Sequence, residues 1–148
     1  MAIRIRIAIR RLGSTDEVET TALVNSGYEV EVPEIHLPTP LARKLGFNVE
    51  EASLGTITLC GSFEAPLRML GMVEVRVITE DRSTEWIRAL ATSIGREAEV
   101  LLSDKLTDAL GISPIRVGEG LWRFSDEPAD IWRTSVEPEY WAEEQGDS

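Results

Sequence analysis

Ile3, Ile5, Ile7 and Ile9 alternate with Arg4, Arg6, Ala8 and Arg10. A period of two sends the isoleucines to one side and the arginines to the other, which predicts a strand buried on one face. The polar run RLGSTDE (11–17) follows as a turn, and VETTALV (18–24) is a second β-rich stretch, so the two predict a hairpin. YEVEVPEIHLP (28–38) reads as extended chain broken by Pro33 and Pro38. The period then changes in TPLARKLGF (39–47), where Thr39 as N-cap, Pro40 at the first helical position and Gly46 as the stop predict a short helix.

The β pattern resumes from 55 to 79. GTITLC leads into Gly61-Ser62, and FEAPLRMLGMVEVRVIT returns with Val73, Val75 and Val77 in alternation. STEWIRALATSIG (83–95) fits either a two-turn helix or a strand carrying Trp86, Arg88 and Leu90 on one face. EVLLSDKLTDALGI (99–112) runs an apolar strand into a capped helix, with Ser103 as N-cap, Asp104 in the first turn and Gly111 as the stop. IRVGEGLWRF (115–124) predicts a hairpin turning at Glu119-Gly120.

Beyond this point the character of the chain changes. Residues 126–148 hold eight acidic residues against one basic residue, Arg133, and so supply −7 of the net −11. The expected division is a folded domain over 1–125 and an acidic tail over 126–148. Acidic tails are usually solvated. Trp132, Tyr140 and Trp141 argue instead that this one packs across the domain or onto a partner subunit.

Charge and rare residues remove several functions. A net charge of −11 argues against nucleic acid and anionic membranes, both of which select a basic face. The single cysteine, Cys60, excludes an internal disulfide or a cysteine zinc cage, and the single histidine, His36, leaves no histidine cluster for a metal. No cofactor or metal is expected. His36 lies between Ile35 and Leu37 and reads as a structural histidine, and Cys60 as a small buried apolar residue. No apolar run reaches the length of a membrane helix, and the alternating start is not a signal peptide, so a cytoplasmic protein is expected. The two asparagines, Asn25 and Asn48, and one glutamine, Gln145, are few enough to suggest a thermophilic source.

One of those asparagines opens the tripeptide Asn25-Ser26-Gly27 at the end of the run ALV. Taken alone it is a turn. Its surroundings repeat, however: LVNSG precedes LARKLGF (41–47), and VLLSD leads into LTDALGI (106–112). Each unit is an apolar strand, a serine-containing loop and a short helix ending in Leu-Gly and an apolar residue, as an internal duplication would leave.

These pieces together resemble the retropepsin-like (retroviral-type) aspartic peptidases, particularly the short archaeal proteins of that superfamily. ALVNSG matches the family's apolar strand ending in Asp-Ser/Thr-Gly, and IHLPTPLARKLGF its LP…LA..LG segment. The hairpin around Gly61 and Ser62 matches the flap, and VLLSDKLTDALGI the later strand and helix. The resemblance covers roughly residues 1–125 and implies a mainly β fold: a closed barrel with two short helices and a flap hairpin. It implies a strand at 86–94, and a homodimer, because each chain brings one catalytic loop.

Two departures fall on the chemistry. Asn25 occupies the catalytic aspartate position, and LLSD stands where the family has a glycine beside the active site. The peptidase dyad works because two close carboxylates share one proton. An amide does not ionise and cannot serve as the general base. The expected function is therefore a degenerate, non-catalytic homodimer that binds extended peptide around Asn25, Ser26 and Gly27 and the flap residues Gly61 and Ser62. The alternatives are an active aspartic endopeptidase, if aspartate replaces Asn25 in the working form, and a structural dimer with a sealed cleft.

Overall fold

The computed structural model describes residues 2–59 and 63–142, except for the side chains of 57–59 and 63–65. The isoleucine alternation forms β1 (Arg4–Arg11). Ile3, Ile5, Ile7 and Ile9 are all buried, while the intervening arginines reach the surface. β2 (Glu17–Val24) returns antiparallel from Arg10↔Glu17 to Arg4↔Leu23, completing the expected hairpin. Gly13, with φ of 89°, takes the left-handed conformation in its turn.

Five further strands build the sheet: β3 (Glu34–His36), β4 (Ser53–Leu59), β5 (Phe63–Val77), β6 (Ile87–Ser93) and β7 (Val100–Leu102). Their order is β1-β2-β7-β3-β6-β5, and β5 pairs back onto β1 from Ile7↔Val77 to Arg11↔Val73. Six strands thus close a barrel, which removes two sheet edges at once. The segment that fitted helix or strand is β6, with Ala89 and Ala91 inward. Trp86, just before it, lies beneath the guanidinium groups of Arg10 and Arg76, 4.0 and 4.5 Å from the ring centre.

β4 lies outside the ring and, among the described residues, pairs only with β5, from Ser53↔Met69 to Leu59↔Phe63. One long strand therefore serves both barrel and arm: residues 73–77 of β5 pair with β1, and its first half carries the hairpin. The register shift between Met69 and Gly71 marks the change. Gly71 has φ of 147°, and a Cβ there would meet the Phe47 ring at 3.1 Å, so backbone and space both select glycine. The expected flap tip, Gly61 and Ser62, and Cys60 lie outside the described residues.

The two expected helices are α1 (Thr39–Lys44) and α2 (Asp104–Ala109). Leu41 and Ala42 of the first and Leu106 and Thr107 of the second are buried, and each helix ends alike. Leu45 and Leu110 are the C-caps, followed by Gly46 (φ 96°) and Gly111 (φ 77°), whose N–H groups donate to Arg43 and Asp108. One detail corrects the sequence reading. Pro38, not Thr39, is the N-cap of α1: its carbonyl accepts from the Ala42 N–H at 3.0 Å. Thr39 is already helical, and its hydroxyl lies 3.5 Å from that of Ser93.

After α2, β8 (Ile112–Arg116) and β9 (Leu121–Phe124) form a separate two-stranded hairpin. A strap from the acidic tail then crosses the barrel. Arg133 exchanges both backbone hydrogen bonds with Trp122, and the Val136 N–H donates to the Arg4 carbonyl at 3.0 Å. Ser135 Oγ accepts from the Arg4 N–H and donates to the Gly120 carbonyl. Further on, the Trp141 indole N–H donates to Thr20 Oγ1 at 2.9 Å, and its backbone N–H to Ala98. Of the tail aromatics, Trp141 packs against the core and holds the chain on the domain, whereas Trp132 and Tyr140 are exposed. Among the described residues, no helix is long and apolar enough to cross a membrane.

Candidate functional site

β2 and β7 run parallel, in register from Ala22↔Val100 to Val24↔Leu102. The residues that follow, Asn25 and Ser103, therefore leave the sheet side by side, and the Asn25 N–H points to the Leu102 carbonyl at 3.4 Å. LVNSG and VLLSD, alike in sequence, are neighbours in space. Their loops then diverge. After Asn25 the chain turns back, with the Tyr28 N–H donating to the Asn25 carbonyl at 3.1 Å. Gly27 has φ of 95° and open space around it, so it is the backbone angle that selects glycine. Asn25 is half-buried, Ser26 and Gly27 are exposed, and the Asn25 side-chain amide makes no hydrogen bond among the described residues.

Ser103 has no such freedom. Fully buried, its Oγ accepts from the Leu106 N–H at 3.1 Å as the cap of α2 and from the Glu34 N–H at 3.0 Å. Its own N–H donates to the Glu34 carbonyl, and its carbonyl accepts from the Thr107 hydroxyl. Where the resemblance led to an expected glycine, this chain has a serine that joins α2 to β3.

Beneath the loop lies a network that the sequence reading missed. Tyr28 is buried, and its phenol donates to Glu34 Oε2 at 2.5 Å, with Thr92 Oγ1 at 3.3 Å. The Tyr28 carbonyl accepts from the Asp104 N–H at 3.0 Å, which joins the loop to the first turn of α2. Burial raises the Glu34 pKa above the usual carboxyl range, outweighing the hydrogen bonds from Tyr28 and Thr92 that lower it. Burial also drives the Tyr28 phenol far upward, reinforced by its bond to Glu34. The one available signal was an acid inside the short run PEIHLP, between two prolines and beside apolar residues.

His36 is fully buried on the same strand as Glu34. Its Nδ1 accepts from the Ile94 N–H at 3.1 Å, which leaves Nε2 as the donor to the Glu97 carbonyl at 3.2 Å. Burial lowers its pKa to about 4, so the ring is neutral at ordinary pH. Both nitrogens are engaged by backbone, in keeping with a structural histidine. Among the described residues, no cluster of histidine, cysteine, aspartate and glutamate could hold a metal ion.

No family model matches this chain, and no curated protein does. Its chemistry must therefore be read from the groups present. The loop offers an amide, a hydroxyl and exposed backbone at the barrel rim, all able to hydrogen-bond and none able to act as a base near neutral pH. The carboxyl beneath it, Glu34, is buried and already bonded to Tyr28.

Proposed function

We propose that this chain is a catalytically degenerate relative of the aspartic peptidases, a homodimer that binds extended peptide and does not cut it. One observation carries the reading: Asn25, its side chain without a hydrogen bond among the described residues, follows β2 beside the buried Leu102–Ser103 turn of the matching unit. A second chain related by a two-fold axis would bring its own loop opposite this one. Peptide would pair along the projecting β4–β5 arm, whose β4 edge has no strand partner among the described residues. Such pairing uses backbone groups and requires no catalytic carboxylate.

The test begins with sedimentation at micromolar concentration, where a dimer is expected and a monomer would remove the shared cleft. Freshly purified protein, with its Asn25 amide verified by intact mass, is expected to bind extended peptides without cleaving them. Asn25→Asp would set two carboxylates in one cleft, and any activity gained should follow a bell-shaped acidic pH profile belonging to the pair. Cleavage by the amide form, blocked by a transition-state analogue of aspartic peptidases, would overturn the reading in favour of a working peptidase.

A further inference from the structure

The loop after β2 holds two adjacent groups that nothing in the fold engages. Neither the Asn25 side-chain amide nor the Ser26 backbone N–H makes a hydrogen bond among the described residues, and Ser26 and Gly27 are exposed. One peptide unit joins the pair, and its carbonyl, that of Asn25, accepts from the Tyr28 N–H at 3.1 Å. A hydrogen bond to a peptide oxygen polarises the whole unit and makes the N–H at its other end more acidic. The Ser26 nitrogen is thus exposed and biased toward losing its proton. The five-membered ring that would join it to the Asn25 carboxamide carbon needs bond rotations within Asn25 alone.

The other asparagine of the chain differs on both counts. Asn48 Oδ1 accepts from the Glu51 N–H at 3.3 Å, capping the single 3-10 turn Val49–Glu51, so its side chain is held. The nitrogen beside it belongs to Val49, which is buried and branched at Cβ and crowds any approach. At the first site the neighbour is a small serine, and a Cβ built on Gly27 would meet nothing within 4 Å. The ends of that loop are anchored, with the Asn25 N–H directed at the Leu102 carbonyl and the Tyr28 side chain buried. A change confined to residues 25–27 therefore leaves the barrel standing.

We propose that Asn25-Ser26 is a site of spontaneous covalent modification, with water as its only co-reactant. Base removes the Ser26 amide proton, and that nitrogen attacks Asn25 Cγ. The N–Cγ bond forms, the Cγ–Nδ2 bond breaks, and ammonia leaves carrying the proton returned by the base. Water then opens the resulting succinimide. Cleavage of the new N–Cγ bond gives aspartate; cleavage of the old peptide C–N bond gives isoaspartate, with one more carbon in the main chain. Nothing is oxidised or reduced. One chain suffices, without peptide or partner, so the site stands apart from the homodimer reading. The test incubates the full chain at mildly alkaline pH and follows peptide masses and isoaspartate, the latter through its specific methyltransferase. Asn25 is expected to convert about tenfold or more faster than Asn48, which must first leave its cap. In the folded chain its rate should lie within about tenfold of that in denaturant, because no structure need open first. Ser26→Pro deletes the attacking N–H and suits the second position of a turn whose third residue is Gly27 at φ of 95°, and it should abolish conversion. Should that variant fail to fold, Ser26→Val, which gives the loop the branching of Val49, should slow conversion about tenfold. An Asn25 amide kept by the folded chain but lost in denaturant, faster conversion at Asn48, or conversion undiminished in these variants would overturn the proposal.

Discussion

Glu34 and His36 sit two residues apart on one buried strand, and their titrations oppose one another. His36 is held neutral, its pKa lowered to about 4 from 6.5. Below pH 6.5 the unfolded chain takes up this proton and the folded one does not, so stability falls as pH drops toward 4, by about 3 kcal/mol in all. The only histidine in the chain gives an unambiguous proton resonance, which should stay in its neutral position down to about pH 4. Glu34, with its pKa raised, favours the fold when protonated, and that contribution is lost as pH rises through its folded value. Glu34→Gln is accordingly expected to stabilise the protein at pH 7–8 by about 1–2 kcal/mol, because the amide can still accept from Tyr28 and carries no charge. Denaturant midpoints at pH 4 and pH 8 check this, and the gain should be confined to the higher pH. The Asn25 turn and the structural character of His36 were legible locally. The Tyr28–Glu34–Thr92 network was not, because Thr92 approaches it only after β6 has paired with β3.

β1 and the second half of β5 follow from alternation along the chain, and α2 from its cap; α1 shows where punctuation misleads. A threonine before a proline looks like a cap, yet the helix takes in Thr39 and leaves Pro38 in the cap position. The consequence separates two otherwise similar substitutions. Ser103→Ala removes the acceptor for both Leu106 and Glu34 and should cost about 1–2 kcal/mol. Thr39→Ala removes no cap and should cost well under that, about 0.5 kcal/mol or less. Thermal melts of the two variants side by side decide it. The strand choice for β6 was open on periodicity alone, since Ile87, Ala89 and Ala91 suit either period over so short a span. Its place between β3 and β5 comes from pairing across the barrel.

At the scale of the molecule, the strap joins parts that the ring does not. Arg133 binds Asp81 of the turn after β5 and Glu127 at the start of the tail, and its guanidinium lies 4.9 Å from the centre of the Phe124 ring. Its presence lowers the Glu127 pKa to about 2. The carboxylate's contribution is therefore present above pH 4.5 and is lost as pH falls toward 2. Arg133→Ala should destabilise the protein by about 2 kcal/mol at pH 7, and by progressively less as pH falls from 4.5 toward 2, where the unfolded chain binds the proton that Arg133 keeps off folded Glu127. Hydrogen exchange should show the lost protection concentrated at Trp122 and Val136. Tail packing could be argued from its aromatics, but its path could not: the contacts with Arg4, Thr20 and Ala98 exist only once the barrel stands.

The closing pair of the ring joins the first strand of the chain to its fifth, at Ile7↔Val77. During synthesis β1 therefore emerges with only β2 to pair with, and waits through the making of the arm before its second edge is covered. For that interval it is an apolar, β-prone ribbon with a bare side, open to the same ribbon of a neighbouring copy. Arg4, Arg6 and Arg10 are spaced along it, so two unfinished chains approaching edge to edge would set like charges close together. The alternation that builds the barrel wall also guards the chain before there is a wall.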